Sequence, residues 1–384
     1  MYQRFPVSVA VTRFRGAGGV TESHITVQLT GNGAGPSIQT LADGYRLALR
    51  ILGLDPTSAV LRRVFCSDVS NQAEAVKRAF GGLCAVSIIG QAPLPAAKFA
   101  LWAYHVGDPG KPLEKSMDGA TLILKRGPLT HCWTTGSTDC SDVDSHSQTR
   151  EVLANYTTSL AARGLRMADH VVRTWWFVQN IDADYMGFVR SRADFFATHG
   201  LTADTHYLAS TGIAGCHADT AARVVLDSYA IGGLLGDQVR YLCAPEHLCP
   251  THDYGVTFER ATAVDYADRR HIFVSGTASI DHTGRILHEG DVLAQLDRTL
   301  ENIDALLAQA DANSGDLAVI LVYLRDPADA GVVGKALCDR LGAVARVVVH
   351  APVCRPGWLI EIEAIAVVTN RSKRPKIDPL PIRH

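Results

Sequence analysis

The stretch HIFVSGTASIDHTGRILHEGDVLAQLDRTLENIDALL at residues 271–307, taken with CRPGWLIEIEAIAVV at 354–368, decides how the chain is read. In the first, Leu293, Leu296, Leu300, Ile303 and Leu307 recur at steps of three and four, which predicts an amphipathic helix with one face on a core. Between the two, LAVILVYLRDP from Leu317 reads as a buried strand and 327–341 as a second helix. The closing run alternates as a strand does. The order hairpin, helix, strand, helix, strands predicts a mixed sheet covered by two helices, an α+β layer.

The same order occurs twice earlier. Leu41, Tyr45, Ala48 and Leu52, then Leu153, Tyr156 and Leu160, mark matching helices, with Gly53 and Gly164 as left-handed C-caps. VLRRVFCSDV from Val60 and VVRTWWFVQNI from Val171 match the strand at 317, so Phe65, Phe177 and Tyr323 correspond, as do Asp68, Asn180 and Asp326. Second helices are expected at 71–81 and 183–199. Glycine, proline and charge concentrate near 106–118 and 232–255, giving units at 1–110, 118–235 and 255–370 and a basic tail at 371–384. A sheet with an uncovered apolar face needs a partner. Three copies in one chain supply it by closing into a monomeric pseudo-trimer with a central β-barrel-like core, whose clefts between units are the natural ligand sites.

With 384 residues, 47% apolar and 20% charged content, the chain is long enough for a sizeable core, and disordered or fibrous classes are excluded. A net charge of −2 provides no global field for nucleic acid or an anionic membrane, so neither partner is expected. No apolar run reaches the ~18 residues of a membrane helix, and the start lacks the order of a secretory signal, so a cytoplasmic location is expected. Nine dispersed cysteines without a CxxC pair suit reduced thiols. Cys243, His247, Cys249 and His252 do not have recurrent zinc spacings, and GNGAGP at 31–36 is not a dinucleotide fingerprint, so no metal or cofactor is expected.

The chemistry concentrates in the last unit. In LIEIEAIAVV, Leu359, Glu361, Glu363 and Ile365 share one strand face, and the two carboxylates are roughly 6.6 Å apart by the strand rise. Near a core, desolvation raises a carboxyl pKa and makes a general acid available near neutrality; at a solvated edge, or paired with arginines, the same residues are structural. Arginine's planar fork suits carboxylate ligands, and Arg173, Arg192, Arg260, Arg346 and Arg355 are the candidates for a small-molecule carboxylate substrate. Ser275, Gly276 and Ala278 in SGTASI are small enough for a ligand to approach the backbone. No GxSxG elbow accompanies Ser275, which reads as pocket wall.

The quoted stretches resemble the YjgF/RidA superfamily over 256–370, whose small members are homotrimers with pockets at subunit junctions. More narrowly, RTWWFVQNI at 173–181, FVRSRADFF at 188–196, SGTASI at 275–280 and CRPGWLIEIE at 354–363 resemble the chorismatases, which cleave chorismate to pyruvate plus a cyclohexadiene or hydroxybenzoate. The resemblance implies that Glu361 is the catalytic acid, that Cys354 steers the reaction toward 3-hydroxybenzoate, and that Arg192 and Arg355 match family arginines. Arg346, fifteen positions before Glu361, matches the carboxylate-binding arginine of the imine-hydrolysing members. Enamine or imine deamination is therefore the alternative activity, and metabolite binding without turnover a third.

Overall fold

The computed structural model describes residues 6–30, 37–109 and 112–370. The basic tail at 371–384 and GNGAGP at 31–36 lie outside the described residues. The first third supplies β1 (Val7–Arg15), β2 (Thr21–Leu29), α1 (Ile38–Leu52), β3 (Ala59–Cys66), α2 (Val69–Phe80), β4 (Ala85–Gly90), β5 (Ala92–Pro93) and β6 (Phe99–Gly107). Next come β7 (Glu114–Asp118), β8 (Thr121–Arg126), β9 (Leu129–Ser137), α3 (Ser145–Ala161), α4 (Met167–His170), β10 (Val171–Val178), α5 (Ile181–Thr198), β11 (Ala209–Ala214) and β12 (Val224–Gly232). The remainder holds β13 (Val239–Leu242), β14 (Ala261–Asp265), β15 (Arg269–Ala278), α6 (Val292–Ala308), β16 (Leu317–Leu324), α7 (Ala330–Leu341), β17 (Arg346–His350) and β18 (Ile360–Thr369).

One strand order occurs three times: β1-β2-β6-β3-β4, β8-β9-β12-β10-β11 and β14-β15-β18-β16-β17. In each, the last two strands run parallel and the rest antiparallel. The helices form where the spacing of leucines places them, and Gly53 ends α1 with a left-handed φ of 65°. Asp68, Asn180 and Asp326 cap the helical segments after β3, β10 and β16, which bears out their correspondence. The protein is thus α+β with three mixed sheets.

The expected central barrel is not closed. Among the described residues, the sheets meet only at short seams: β5 adds two residues to the edge of β17, Gly90 bridges to Cys216, and Ala209 bridges to Glu259. Pairings one or two residues long cannot carry a ladder around a barrel. The sheets instead face one another through side chains. Among the described residues, no helix is long and apolar enough to cross a membrane.

Register makes the inner faces comparable. Arg63 pairs across its sheet with Trp102, Trp175 with Asp227, and Leu321 with Glu363. Trp102, Asp227 and Glu363 therefore occupy one equivalent position, and all three converge on Arg63. Its Nη2 donates to Asp227 Oδ2 at 2.9 Å, its Nη1 lies 3.8 Å from Glu363 Oε1, and its guanidinium sits 4.8 Å from the Trp175 ring centroid. Ser87 Oγ and Gly136 N also donate to Asp227. Arg63 is fully buried, so its charge has to be answered by side chains of the other two sheets.

Asp227→Asn leaves that guanidinium facing a neutral amide and is expected to lower the urea unfolding free energy by about 3 kcal/mol or more. Glu74→Gln, which breaks an exposed pair with Lys77, should leave the unfolding midpoint unchanged. Equal midpoints for the two variants would contradict the role given to Asp227.

Candidate active site

A cavity of about 240 Å³ opens between α5 and β11 on one side and β15, β18 and the 354–358 turn on the other. Glu361 forms part of its wall and is 6% exposed. Its position recurs in the other sheets as Ala100 and Val225, the cross-strand partners of Phe65 and Phe177, so this carboxyl has no counterpart there. Room for it comes from a register shift between β15 and β18 at Ser275 and Gly276, a bulge that frees Gly276 from the ladder. A Cβ at Gly276 would overlap Glu361 Oε1 and lie 2.8 Å from its Cδ. Gly276 thus makes space for the acid as well as lining the cavity.

Burial, reinforced by the negative charge of Glu363 and opposed by Arg173 and Arg260, pushes the Glu361 carboxyl up to about 8. It is a neutral acid at pH 7. Glu363, two residues on, has the other fate: Trp175 Nε1 donates to one oxygen at 2.8 Å and Arg173 Nη2 to the other at 2.7 Å. One carboxyl of the strand is structural and the other faces the cavity.

Cys354, Arg192, Arg260, Arg355, Gly276 and Ala278 all line this cavity, as the sequence suggested. Arg192 projects from α5 with its guanidinium 4.7 Å from the Phe188 ring and Nη1 donating to Ser210 Oγ at 3.4 Å. Arg260 donates from Nη2 to the Cys249 carbonyl at 2.8 Å, and Arg355 lies 5.0 Å from the Trp358 ring. Burial, and then the neighbouring Glu361, push the Cys354 thiol up to about 12, while the Tyr185 hydroxyl hydrogen bonds to it. The sulfur is a protonated wall group and not a nucleophile at neutral pH.

Three expectations change. Arg173 does not line the cavity: fully committed to Glu363, Thr211 Oγ1 and Ser275 Oγ, it stitches β10 and β11 to β15 and β18 from behind. Ser275, with no exposure, donates to the Glu259 carbonyl at 2.5 Å and accepts from Ser210 N at 2.8 Å, so it holds the seam and not a ligand. Arg346, at the start of β17, turns to the Gly342 carbonyl at 2.8 Å and to Cys338 Sγ, away from Glu361.

Other cavity residues went unread, notably Tyr185, Val189, Phe258 and Trp358. Tyr185 and Val189 precede Arg192 by seven and three positions and so share its helix face, a signal available from spacing alone. Phe258 comes from a loop without such periodicity.

Residues 260–368 match the family described as Endoribonuclease L-PSP. A RutC family protein of Pyrococcus abyssi is 39% identical over 98 residues, covering 25% of this chain and 76% of the relative. A chorismatase of Streptomyces rapamycinicus is 31% identical over 221 residues, and a 3-hydroxybenzoate synthase of Streptomyces hygroscopicus 29% identical over 222. Each of these two alignments covers 51% of this chain, which spans only 63% of either relative's length. The crystal structure of a chorismatase superposes over 94% of this chain and 99% of its own with a TM-score of 0.64 at 18% identity, a likeness of fold.

A carboxyl raised from 4.5 to about 8 holds a proton that the unfolded chain has released across that window. Stability from this group is full below pH 4.5 and lost as pH rises through about 8. Urea midpoints between pH 5 and 9 should therefore fall more steeply for the native chain than for Glu361→Gln. Parallel curves would place the Glu361 pKa in the ordinary range.

Proposed function

The chain belongs to the RutC family, and from that premise we propose that it cleaves the enolpyruvyl ether of chorismate, with Glu361 as general acid, releasing pyruvate and 3-hydroxybenzoate. The observation that carries this reading is a neutral, buried carboxyl opening on a cavity that also presents Arg192, Arg260 and Arg355. A substrate with one carboxylate on its ring and a second on the enolpyruvyl group suits three guanidinium forks, and an enol ether suits an acid that is still protonated at neutral pH. The names of the two Streptomyces relatives support the same substrate and product.

In the proposed sequence, Glu361 transfers its proton to the terminal methylene carbon, forming a methyl group and an oxocarbenium ion. The resulting carboxylate, a few ångströms away and poorly hydrated, stabilises that cation. If the adjacent ring hydroxyl, giving up its proton to the Glu361 carboxylate, attacks the cation, breaking that oxygen's bond to the ring and the ether oxygen's bond to the pyruvyl carbon releases pyruvate with the former hydroxyl oxygen; loss of the ring hydrogen at the ether carbon then leaves 3-hydroxybenzoate, which balances without water, a lyase outcome. Addition of water to the cation gives pyruvate and a dihydroxycyclohexadiene carboxylate, a hydrolase outcome. Cys354, a neutral thiol beside Tyr185, favours the first in this proposal by occupying space that water would otherwise take. The three repeats are proposed to act as one pseudo-trimer, with units at 1–110, 118–235 and 255–370 and a single working cleft between the second and third.

Incubation with chorismate followed by chromatography should show pyruvate and 3-hydroxybenzoate in equal amounts. Glu361→Gln is expected to reduce kcat at least about 100-fold, and kcat should fall above the acid's pKa of about 8. Ammonia release from freshly generated iminopropionate, without chorismate turnover, would replace this reading with imine deamination. Cys354→Ala should shift product toward the diene. An unchanged product ratio would remove Cys354 from the partitioning step.

A further inference from the structure

A polar stripe runs inside the apolar face of α6. Gln295, Thr299 and Asn302 follow one another at steps of four and three on the side turned to the sheet, and none of them has any exposure. Asn302 Nδ2 donates to the carbonyls of Ala278 at 3.1 Å and Ile280 at 3.0 Å. Gln295 Nε2 donates to the Gly357 carbonyl at 2.8 Å and to the His288 carbonyl at 3.2 Å, while its Oε1 accepts from Leu359 N at 2.9 Å. Both N–H donors and the carbonyl of this amide are thus spent on backbone. Residues 351–359 belong to no strand, so the turn that brings Cys354, Arg355 and Trp358 to the Glu361 cavity is held by such side-chain bonds in place of a ladder. Trp358 Nε1, donating to the Ser279 carbonyl at 3.0 Å, adds a further one.

The second repeat has the same device where it has no acid. Gln148 and Gln295 each stand four residues after a capping aspartate, Asp144 and Asp291. Gln148 Nε2 donates to the carbonyls of Ala221 at 2.9 Å and Asp142 at 2.7 Å, and its Oε1 accepts from Arg223 N at 2.7 Å. Ala221 and Arg223 precede Val225 by four and two residues, as Gly357 and Leu359 precede Glu361. In the first repeat the residue four after the capping Ser37 is Leu41, so the frame also accommodates an apolar side chain there. The glutamine belongs to the frame. Only in the third repeat does the segment it holds line the Glu361 cavity.

We infer that Gln295 is a positioning residue for the cleavage: by fixing the 354–358 turn it sets how closely Cys354 and Trp358 close on the cation, and so decides between attack by the ring hydroxyl and attack by water. The inference rests on the chorismate reading and deepens it. The two outcomes part at which oxygen reaches the cation, so a wall displaced by the width of one water changes the product before it changes the hold on the substrate. Arg192 on α5 and Arg260 just before β14 lie outside the turn and keep their places when it shifts.

The test compares Gln295→Leu with Gln148→Leu, two equal cuts in the frame of which one lies behind the cavity. With chorismate, Gln295→Leu is expected to raise the share of the diene among the products at least about fivefold, with KM changed less than about twofold. Gln148→Leu should keep the native product ratio at a comparable loss of urea midpoint. Gln295→Met, which keeps the length of the side chain without its hydrogen bonds, should reproduce the shift if the leucine variant folds poorly. A second readout needs no turnover: iodoacetamide, followed by mass spectrometry, should alkylate Cys354 at least about fivefold faster in both Gln295 variants than in the native chain or Gln148→Leu. A product ratio unchanged in both Gln295 variants, or moved equally by Gln148→Leu, would overturn the positioning role. A native chain that leaves chorismate intact would overturn the substrate reading instead, and the alkylation rates alone would then decide for or against Gln295.

Discussion

Burying a guanidinium where three sheets converge commits everything around it to answering its charge. Arg63 is met by Asp227 from the second sheet, by Glu363 from the third, and by the faces of Trp102, Trp175 and Phe177. Glu363 in turn is shared with Arg173, which reaches across the seam that borders the Glu361 cavity. The inner faces are therefore held in one mutual arrangement by charge and by aromatic packing rather than by a continuous ladder. That arrangement also explains how two carboxyl groups on one strand come to differ. Arg63 and Arg173 bond Glu363, so at Glu361 burial and the neighbouring negative charge outweigh the opposing pull of Arg173 and Arg260 and favour its protonated form.

The three repeats have kept the frame and divided the chemistry. The strand order, the parallel last pair and the capping residues after each middle strand are common to all. The inward positions are not. At one level they read Ala100, Val225 and Glu361; at the next, Trp102, Asp227 and Glu363; at the third, Tyr104, Tyr229 and Ile365. A repeat freed from supplying an acid can supply a wall or a countercharge, which a symmetric assembly of identical chains cannot arrange. The proposed reaction exploits this asymmetry.

Much of this was legible beforehand, for physical reasons that separate the successes from the failures. Helices were readable from leucines at steps of three and four, and middle strands from apolar runs, because burial patterns repeat with the backbone's own period. Glu361, Cys354 and the cavity arginines were placed by likeness to a family, and spacing along α5 held enough information to add Tyr185 and Val189. What could not be read was which partner each arginine takes. Arg173, Arg192 and Arg346 look alike as letters. Their roles follow from strand register and from the single-step shift at Ser275 and Gly276, which depend on contacts distant in sequence. The barrel failed for a related reason, since seam length is a property of how sheet edges meet and leaves no periodic trace.

The seam made by β5 carries a consequence for biosynthesis. Ala92 and Pro93 complete the edge of a strand that begins at Arg346, so they are made some 250 residues before their partner. At ordinary elongation rates the wait is on the order of ten to fifty seconds. Throughout it the early edge is bare on the ribosome and open to wrong pairing. Leu94 and Pro95 directly behind it, together with the two-residue length of the segment, make it a poor template for a stray strand, and the lock closes only once Val349 and His350 have been made.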